Sequence, residues 1–253
     1  MATSRRPLLV VAALAVGLEM LASAAIDPAQ NVQAAGAVLL ALFHTSPAAV
    51  RKLFVANVEN EFFPLQRGTT FFYSGTKDGA PTRTVTHVTD KTIRILNIDC
   101  TVVHDRNFED NVLVEDTFDY YAQDLSGNVW YFGEDSSELD AKGRVVSTEG
   151  SWRAGVNGAA PGLIMEAHPQ AGDRYYQELA AGVAEDQANV RSLNSSTCVP
   201  FDCFEHLLRT RETSRFEPDV IEQKYYAKNV GFVRGDVIAG GNEHTALVRI
   251  THE

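Results

Sequence analysis

The stretch DYYAQDLSGNVWYFGED, Asp119 to Asp135, decides how this chain is read. Asp124 can begin a type I turn, and Gly127 can supply the left-handed residue of a three-residue hairpin loop. Asn128 then pairs with Asp124, and every further pair sums to 252. On one side Ala122 faces Trp130, Tyr120 faces Phe132 and Phe118 faces Glu134. On the other, Gln123 faces Val129, Tyr121 faces Tyr131 and Asp119 faces Gly133, leaving open space beside Asp119. The first face is apolar and aromatic and suits a core. The second carries phenols, an amide and a carboxylate, rings with polar handles of the kind a binding surface needs. Its plain alternative is a solvent-exposed Tyr121–Tyr131 cross-strand pair, which stabilises a sheet by itself.

The pattern extends outward from this hairpin. TTFFYSG and TRTVTHVT flank Lys77-Asp78-Gly79. TIRILNIDCTVVHD leads to NVLVEDTFDYYAQD, and Ala141-Lys142-Gly143 separates SSELD from RVVSTEGSW. VIEQKYYAK and VGFVRGDVI join at Asn229, and HTALVRI closes the chain. Short β-prone runs with hairpin turns between them indicate an antiparallel meander. No linker divides it, so residues 61–253 are expected to form one β domain.

Residues 1–24 have the layout of a secretory signal peptide: Arg5 and Arg6, the twelve uncharged residues PLLVVAALAVGL, then Ala22-Ser23-Ala24 as cleavage site. Glu19 is atypical for a signal, and it interrupts the run too early for a transmembrane anchor. A membrane-associated N-terminus is the alternative. Residues 25–60 are rich in Ala and Leu, and Ser46-Pro47 is a helix start, predicting a short N-terminal helix to about Phe54. The chain of 253 residues has a formal charge of −11. Cleavage after Ala24 would leave 20 basic and 32 acidic residues, a charge of −12. Such a charge speaks against a nucleic-acid partner, which needs a basic face. Cys198 and Cys203 flank Val-Pro-Phe-Asp; across a four-residue hairpin loop the two thiols come near disulfide distance, and Cys100 is left as a buried small hydrophobe.

Familiar catalytic motifs are missing: no G-x-S-x-G, H-E-x-x-H, Walker A loop or G-x-G-x-x-G occurs. No cofactor and no metal site is expected, because C-x-x-C is absent and Asp124-Leu-Ser-Gly-Asn lacks the alternating ligands of a calcium loop. Of the seven histidines only His104-Asp105 and His168-Pro169 draw notice, and a lone His is more often structural. Carboxylates are abundant, among them Asp119, Glu134, Glu149, Asp173, Glu178 and Glu222. A facing pair could perform acid–base work on a glycan or ester, the reading of a carboxylate-dependent hydrolase or lyase. GVNGAAPG, residues 155–162, reads as a tight connection.

The segments ENEFFPLQRGTTFFY, VVHDR, EDTFDYYAQDLSGNVWYFGED, EGSWRAGVNGAAPG, GDRYYQE, GVAED and EQKYYAKNVGFVR together resemble a group of exported bacterial proteins of unassigned function, from about Glu59 to the C-terminus. More loosely, YYAKNVGFV is similar to the late strands of the curved-sheet lipoprotein carriers LolA and LolB. The resemblance implies a single antiparallel, curved or half-barrel sheet and an exported, periplasmic or secreted, protein with possible envelope association. It also implies that Asp173 to Val190 is extended, although Ala, Glu and Gln there read as helix by propensity. It brings no catalytic residues and no ligand. The reading that follows is a mainly β protein that binds a small-molecule or lipid-like ligand on a concave face. Its candidate ligand-binding residues are Asp119, Tyr121, Gln123 and Tyr131 from the hairpin, with Glu149, Trp152, Tyr176 and Glu178 from the EGSW and RYYQE segments.

Overall fold

Three tight turns set the architecture. Asp78–Gly79, Leu96–Asn97 and Asp110–Asn111 each place two consecutive residues at positive φ, the conformation whose twist matches a two-residue antiparallel hairpin. The computed structural model describes residue 41 and residues 47–253. The expected signal peptide and the Ser46 cap lie outside the described residues.

A single helical turn, α1 (Pro47–Arg51), leads into three short strands: β1 (Phe54–Val55), β2 (Val58–Asn60) and β3 (Phe63–Leu65). The first meander follows as β4 (Thr69–Lys77), β5 (Ala80–Ile95), β6 (Ile98–Glu109), β7 (Val112–Asp124) and β8 (Val129–Leu139). Short pieces come next: β9 (Val145–Ser147), β10 (Trp152–Arg153), β11 (Gly162–Met165) and β12 (Arg174–Tyr176). The second meander is β13 (Asp186–Cys198), β14 (Cys203–Ser214), β15 (Ile221–Ala227), β16 (Gly231–Ala239) and β17 (Glu243–His252). The last strand returns to the first long one, so the order runs β10-β8-β7-β6-β5-β4-β17-β16-β15-β14-β13-β12, antiparallel throughout.

The sheet is curved and does not close into a barrel. Its two ends touch at one isolated bridge, Ala160 to Leu179. Beside it a Cβ on Gly162 would lie 2.0 Å from the Gln177 carbonyl, so only glycine lets the two backbones approach there. Ladder irregularities between Val88 and Thr92, and between Asp119 and Tyr121, bend the strands. The mainly β, half-barrel reading holds.

Several local expectations are corrected. The helix that starts at Pro47 ends at Arg51, short of Phe54; Phe54 and Val55 instead take backbone partners on Asp124 and Gln123. β-prone Phe and Val gain a ladder there that a frayed helix end could not offer. TIRILNIDCTVVHD is two strands, because it hides the Leu96–Asn97 turn, and leucine is a poor signal for a left-handed residue. Residues 173–190 form no helix, against their helical propensity and in line with the resemblance: β12 and the start of β13 are joined through a turn at residues 181–183, with Tyr175 paired to Ala188 across the ladder. Cys198 and Cys203 are partners in the β13–β14 ladder and form a disulfide, while Cys100 is free and buried.

Candidate functional site

The opening hairpin forms, but its register changes partway. Tyr121–Tyr131, Ala122–Trp130 and Gln123–Val129 pair as the turn dictates. Asp119 then faces Glu134, and Phe118 faces Asp135, one residue out of the expected step. The cause is Gly133, at φ +128°, which bulges out of the ladder. The expected open space beside it is also corrected: a Cβ there would lie 2.2 Å from the Trp152 carbonyl. The backbone of β10 fills that space. The bulge swings Glu134 onto the face of Asp119 and Tyr131, so one phenol serves two carboxyls. The Tyr131 hydroxyl donates to Asp119 Oδ1 at 2.5 Å or to Glu134 Oε2 at 2.8 Å.

Up to the bulge the two faces divide as expected. Trp130, Phe132 and Ala122 are buried away from the cavity, with Phe54 edge-on to Phe132 at 5.7 Å. Asp124 organises the turn: its carboxylate accepts from the backbone N–H groups of Ser126 and Asn128, from the Asn128 amide and from the Trp130 indole. Tyr121 stacks on Tyr131 at 4.7 Å on the concave side. Phe63 of β3 packs edge-on over Tyr121 at 5.3 Å, so the β2–β3 hairpin covers this part of the concave face. Its far end is tied down by the Asn229 N–H donating to the Glu61 carbonyl at 2.6 Å.

Between that hairpin and the sheet lies a cavity of about 300 Å³, at the small end for ligand pockets. Phe63, Phe71, Tyr73 and Phe232 supply much of its apolar lining, while Asp105, Asp119, Tyr121 and Gln177 bring polar groups from one side. Glu222, Lys224 and Tyr226 do so from the other.

The polar groups fall into two walls. On β6–β8, Asp105, Asp119 and Glu134 form no ion pair among the described residues. Burial and the neighbouring Glu115 push the Asp105 carboxyl up to about 7. Burial, with Tyr131 donating against it and Glu115 adding to it, leaves Glu134 also at about 7. Asp119 is raised well above the ordinary range by burial first, then by Asp105 and Glu134. Burial likewise raises the Tyr121 and Tyr131 phenols. At neutral pH Asp105 and Glu134 are therefore only partly ionised, and burial holds Asp119 toward its neutral form. On β14–β15, Lys224 Nζ lies 2.9 Å from Glu212 and 3.3 Å from Glu222. Burial works against the ammonium, but the two glutamates outweigh it and hold its pKa well above normal.

The candidate residues separate accordingly. Asp119 and Tyr121 line the cavity, and Tyr131 stands directly behind them. Trp152 and Glu178 form the next layer: the Trp152 indole lies edge-on to Tyr131 at 5.5 Å and donates to Glu178 at 3.2 Å. Three candidates fall elsewhere. Gln123 shares the face but accepts the Glu59 N–H at 2.8 Å, pinning β2. Glu149 is exposed in the turn before β10, and Tyr176 does not line the cavity, where its neighbour Gln177 does. Neither His104 nor His168 lines it; His104 stacks on Phe118 on the other side of the sheet. Sequence reasoning missed Asp105, Lys224 and the β3 cover. Strand alternation from Val103 could have flagged Asp105, and alternation along Glu222, Lys224 and Tyr226 marks a single face. No group of three His, Cys, Asp or Glu side chains among the described residues is placed to hold a metal ion.

No protein-family model matches the chain, and no curated relative matches it. A solved structure from Bacteroides fragilis, provisionally described as an exported protein with a YmcC-like fold, is 16% identical, with 76% of this chain and 99% of that one covered and a TM-score of 0.46. A structure from Parabacteroides distasonis, provisionally described as a lipoprotein, is 11% identical over 76% of this chain and 99% of its own, at a TM-score of 0.42. Likeness of this degree carries no role across, and the site stands on its own geometry.

Proposed function

We propose that the protein binds a small amphipathic ligand in the concave cavity, outside the cytoplasm. One observation carries this reading: polar groups without protein partners stand in a cavity otherwise rich in rings. The Tyr121 hydroxyl has no hydrogen-bond partner among the described residues, and Asp105 Oδ1 is buried without one. An unsatisfied buried polar atom costs about 1–3 kcal/mol, a cost that a ligand's hydrogen bonds would remove. The Phe63, Phe71 and Phe232 rings take the apolar part of the ligand, and the carboxyls and phenols of the β6–β8 wall take a hydroxyl, carbonyl or amide. An anionic end is disfavoured on that wall, since its carboxyls ionise near neutrality. The export half of the reading is supported by the Arg5–Ala24 layout. It requires a mature N-terminus within a few residues of Ala25; soluble extracytoplasmic protein that keeps residues 8–18 contradicts it.

The test is native mass spectrometry of protein purified from its own host. The wild type should carry a co-purifying small molecule that Tyr121→Ala and Asp119→Asn lose while both variants keep the wild-type far-ultraviolet spectrum and a cooperative melt. A wild type that neither carries such a molecule nor binds an added long-chain alcohol rejects the proposal.

A second reading, acid–base catalysis on a glycan or ester, is favoured by one feature. Asp105 and Asp119 are diagonal neighbours on β6 and β7, where Val103 pairs with Asp119, and a shared site with one neutral and one ionised carboxyl is what such chemistry needs. Turnover of an aryl glycoside or aryl ester that vanishes in Asp119→Asn would select this reading over simple binding.

A further inference from the structure

The outer face of the second meander carries a grouping that runs against the charge of the whole chain. Arg174 on β12 pairs with Asn189 on β13, which pairs with Arg211 on β14. Gln187 pairs with Thr213 one step along the same face. Together with Arg191 these side chains line a shallow groove of about 240 Å³ that has no carboxylate in its lining. None of the three guanidiniums forms an ion pair among the described residues, where Arg191 donates one hydrogen bond, to Asn189 Oδ1 at 2.9 Å. Several arginines elsewhere are paired: Arg51 and Arg94 with Asp99, Arg144 with Asp140, Arg153 with Asp135 and Arg215 with Glu185. Of those that are not, Arg67 donates to the Asp90 carbonyl, and Arg83 and Arg249 lie over the Phe108 and Phe72 rings. In a chain of formal charge −11, an acid-free cluster of three cations is the exception.

Adjacent strands lie about 4.8 Å apart, so Arg174 and Arg211 sit roughly 10 Å from each other across β13. Long guanidinium side chains converge over that distance on one small anion. A guanidinium presents a planar fork that matches two oxygens of a tetrahedral oxyanion. The Gln187 amide and the Thr213 hydroxyl add uncharged donors for the remaining oxygens, while the Asn189 amide is spent on the Gly172 and Asp173 carbonyls.

We propose that this groove binds a phosphate or sulfate ester group. The site is on the opposite face from the cavity and does not depend on what the cavity holds. Its volume suits one such group and a short substituent. The strongly negative remainder of the protein repels a long polyanion, which favours a single ester on a small molecule or on a lipid headgroup.

The experiment uses the full mature chain at low ionic strength, where charge contacts are least screened. Glycerol 3-phosphate is titrated calorimetrically, and vesicles of phosphatidylcholine with and without phosphatidic acid are tested by co-sedimentation. Saturable binding of either phosphate probe is expected, weakened about tenfold or more by Arg211→Gln and by Arg191→Gln, since a charge-assisted hydrogen bond is lost. Arg144→Gln, which removes a cation already paired with Asp140, should change binding by less than about twofold. Binding to both probes points to a soluble ester, and binding to phosphatidic acid vesicles alone to a lipid headgroup. Failure of both probes to bind, or equal weakening by all three substitutions, overturns the site and leaves only a solvated basic surface.

Discussion

The cavity's two polar walls hold the same kind of side chain and handle its charge in opposite ways. On β14–β15 the carboxyls of Glu212 and Glu222 flank the Lys224 ammonium. On β6–β8, Asp105, Asp119 and Glu134 have no cation and are pushed toward their neutral forms. A buried carboxyl must either be paired or give up its charge. The paired wall spends its polar capacity on itself, with Tyr226 and Thr210 also donating to Glu212. The unpaired wall keeps carboxyls and phenols that can exchange hydrogen bonds with a guest. On the proposed reading, that contrast puts recognition on β6–β8 and leaves Lys224 a mainly structural role.

The largest expected effect comes from the residue that builds the unpaired wall. Gly133→Ala puts a methyl group against the Trp152 carbonyl at a backbone angle that favours glycine. It should destabilise by about 4 kcal/mol, read from denaturant unfolding. If it is tolerated, the bulge does not place Glu134 and the description of this wall is wrong. Next comes Lys224→Met, which leaves Glu212 and Glu222 without a cation and should cost about 3 kcal/mol. The loss should shrink as pH falls and the glutamates protonate. A pH-independent loss would mean that Lys224 contributes through packing rather than charge.

A smaller effect separates the walls by pH. Asp105 and Glu134 hold protons up to about 7 in the folded protein, against about 4 in the unfolded chain. Their stabilising share is thus complete below about pH 4 and is lost as pH rises through about 7. Between pH 5 and 8 each of these two groups should lower stability by about 2.5 kcal/mol. Asp105→Asn should flatten that slope in thermal unfolding, and an unchanged slope would place the titration elsewhere.

Much of this was legible locally and little of it globally. Asp124, Gly127 and Asn128 define a turn by their own chemistry, so the pairing near it, and the division of the hairpin into a core face and a cavity face, followed from sequence. The register beyond Tyr121 did not, although a glycine inside a strand is a recognised sign of a bulge. Glu134 was therefore placed on the wrong face. Lys224 was invisible for another reason. Alternation puts it with Glu222 and Tyr226, but which face of β15 is concave depends on β17 returning to β4, a contact across most of the chain. Residues 173–190 misled by composition, since helical propensity is a weak prior that ladder pairing overrides.

The central claim is that the β6–β8 wall faces the cavity with carboxyls held toward their neutral forms. Its most direct test is a carbon-13 NMR titration of the side-chain carboxyl carbons, assigned with Asp119→Asn and Asp105→Asn. The account predicts that Asp119 titrates well above the ordinary aspartate range, that Asp105 titrates near 7, and that both resonances shift when a long-chain alcohol is added. Titration of both at about pH 4, the ordinary value for an exposed aspartate, with no response to the alcohol, would contradict it.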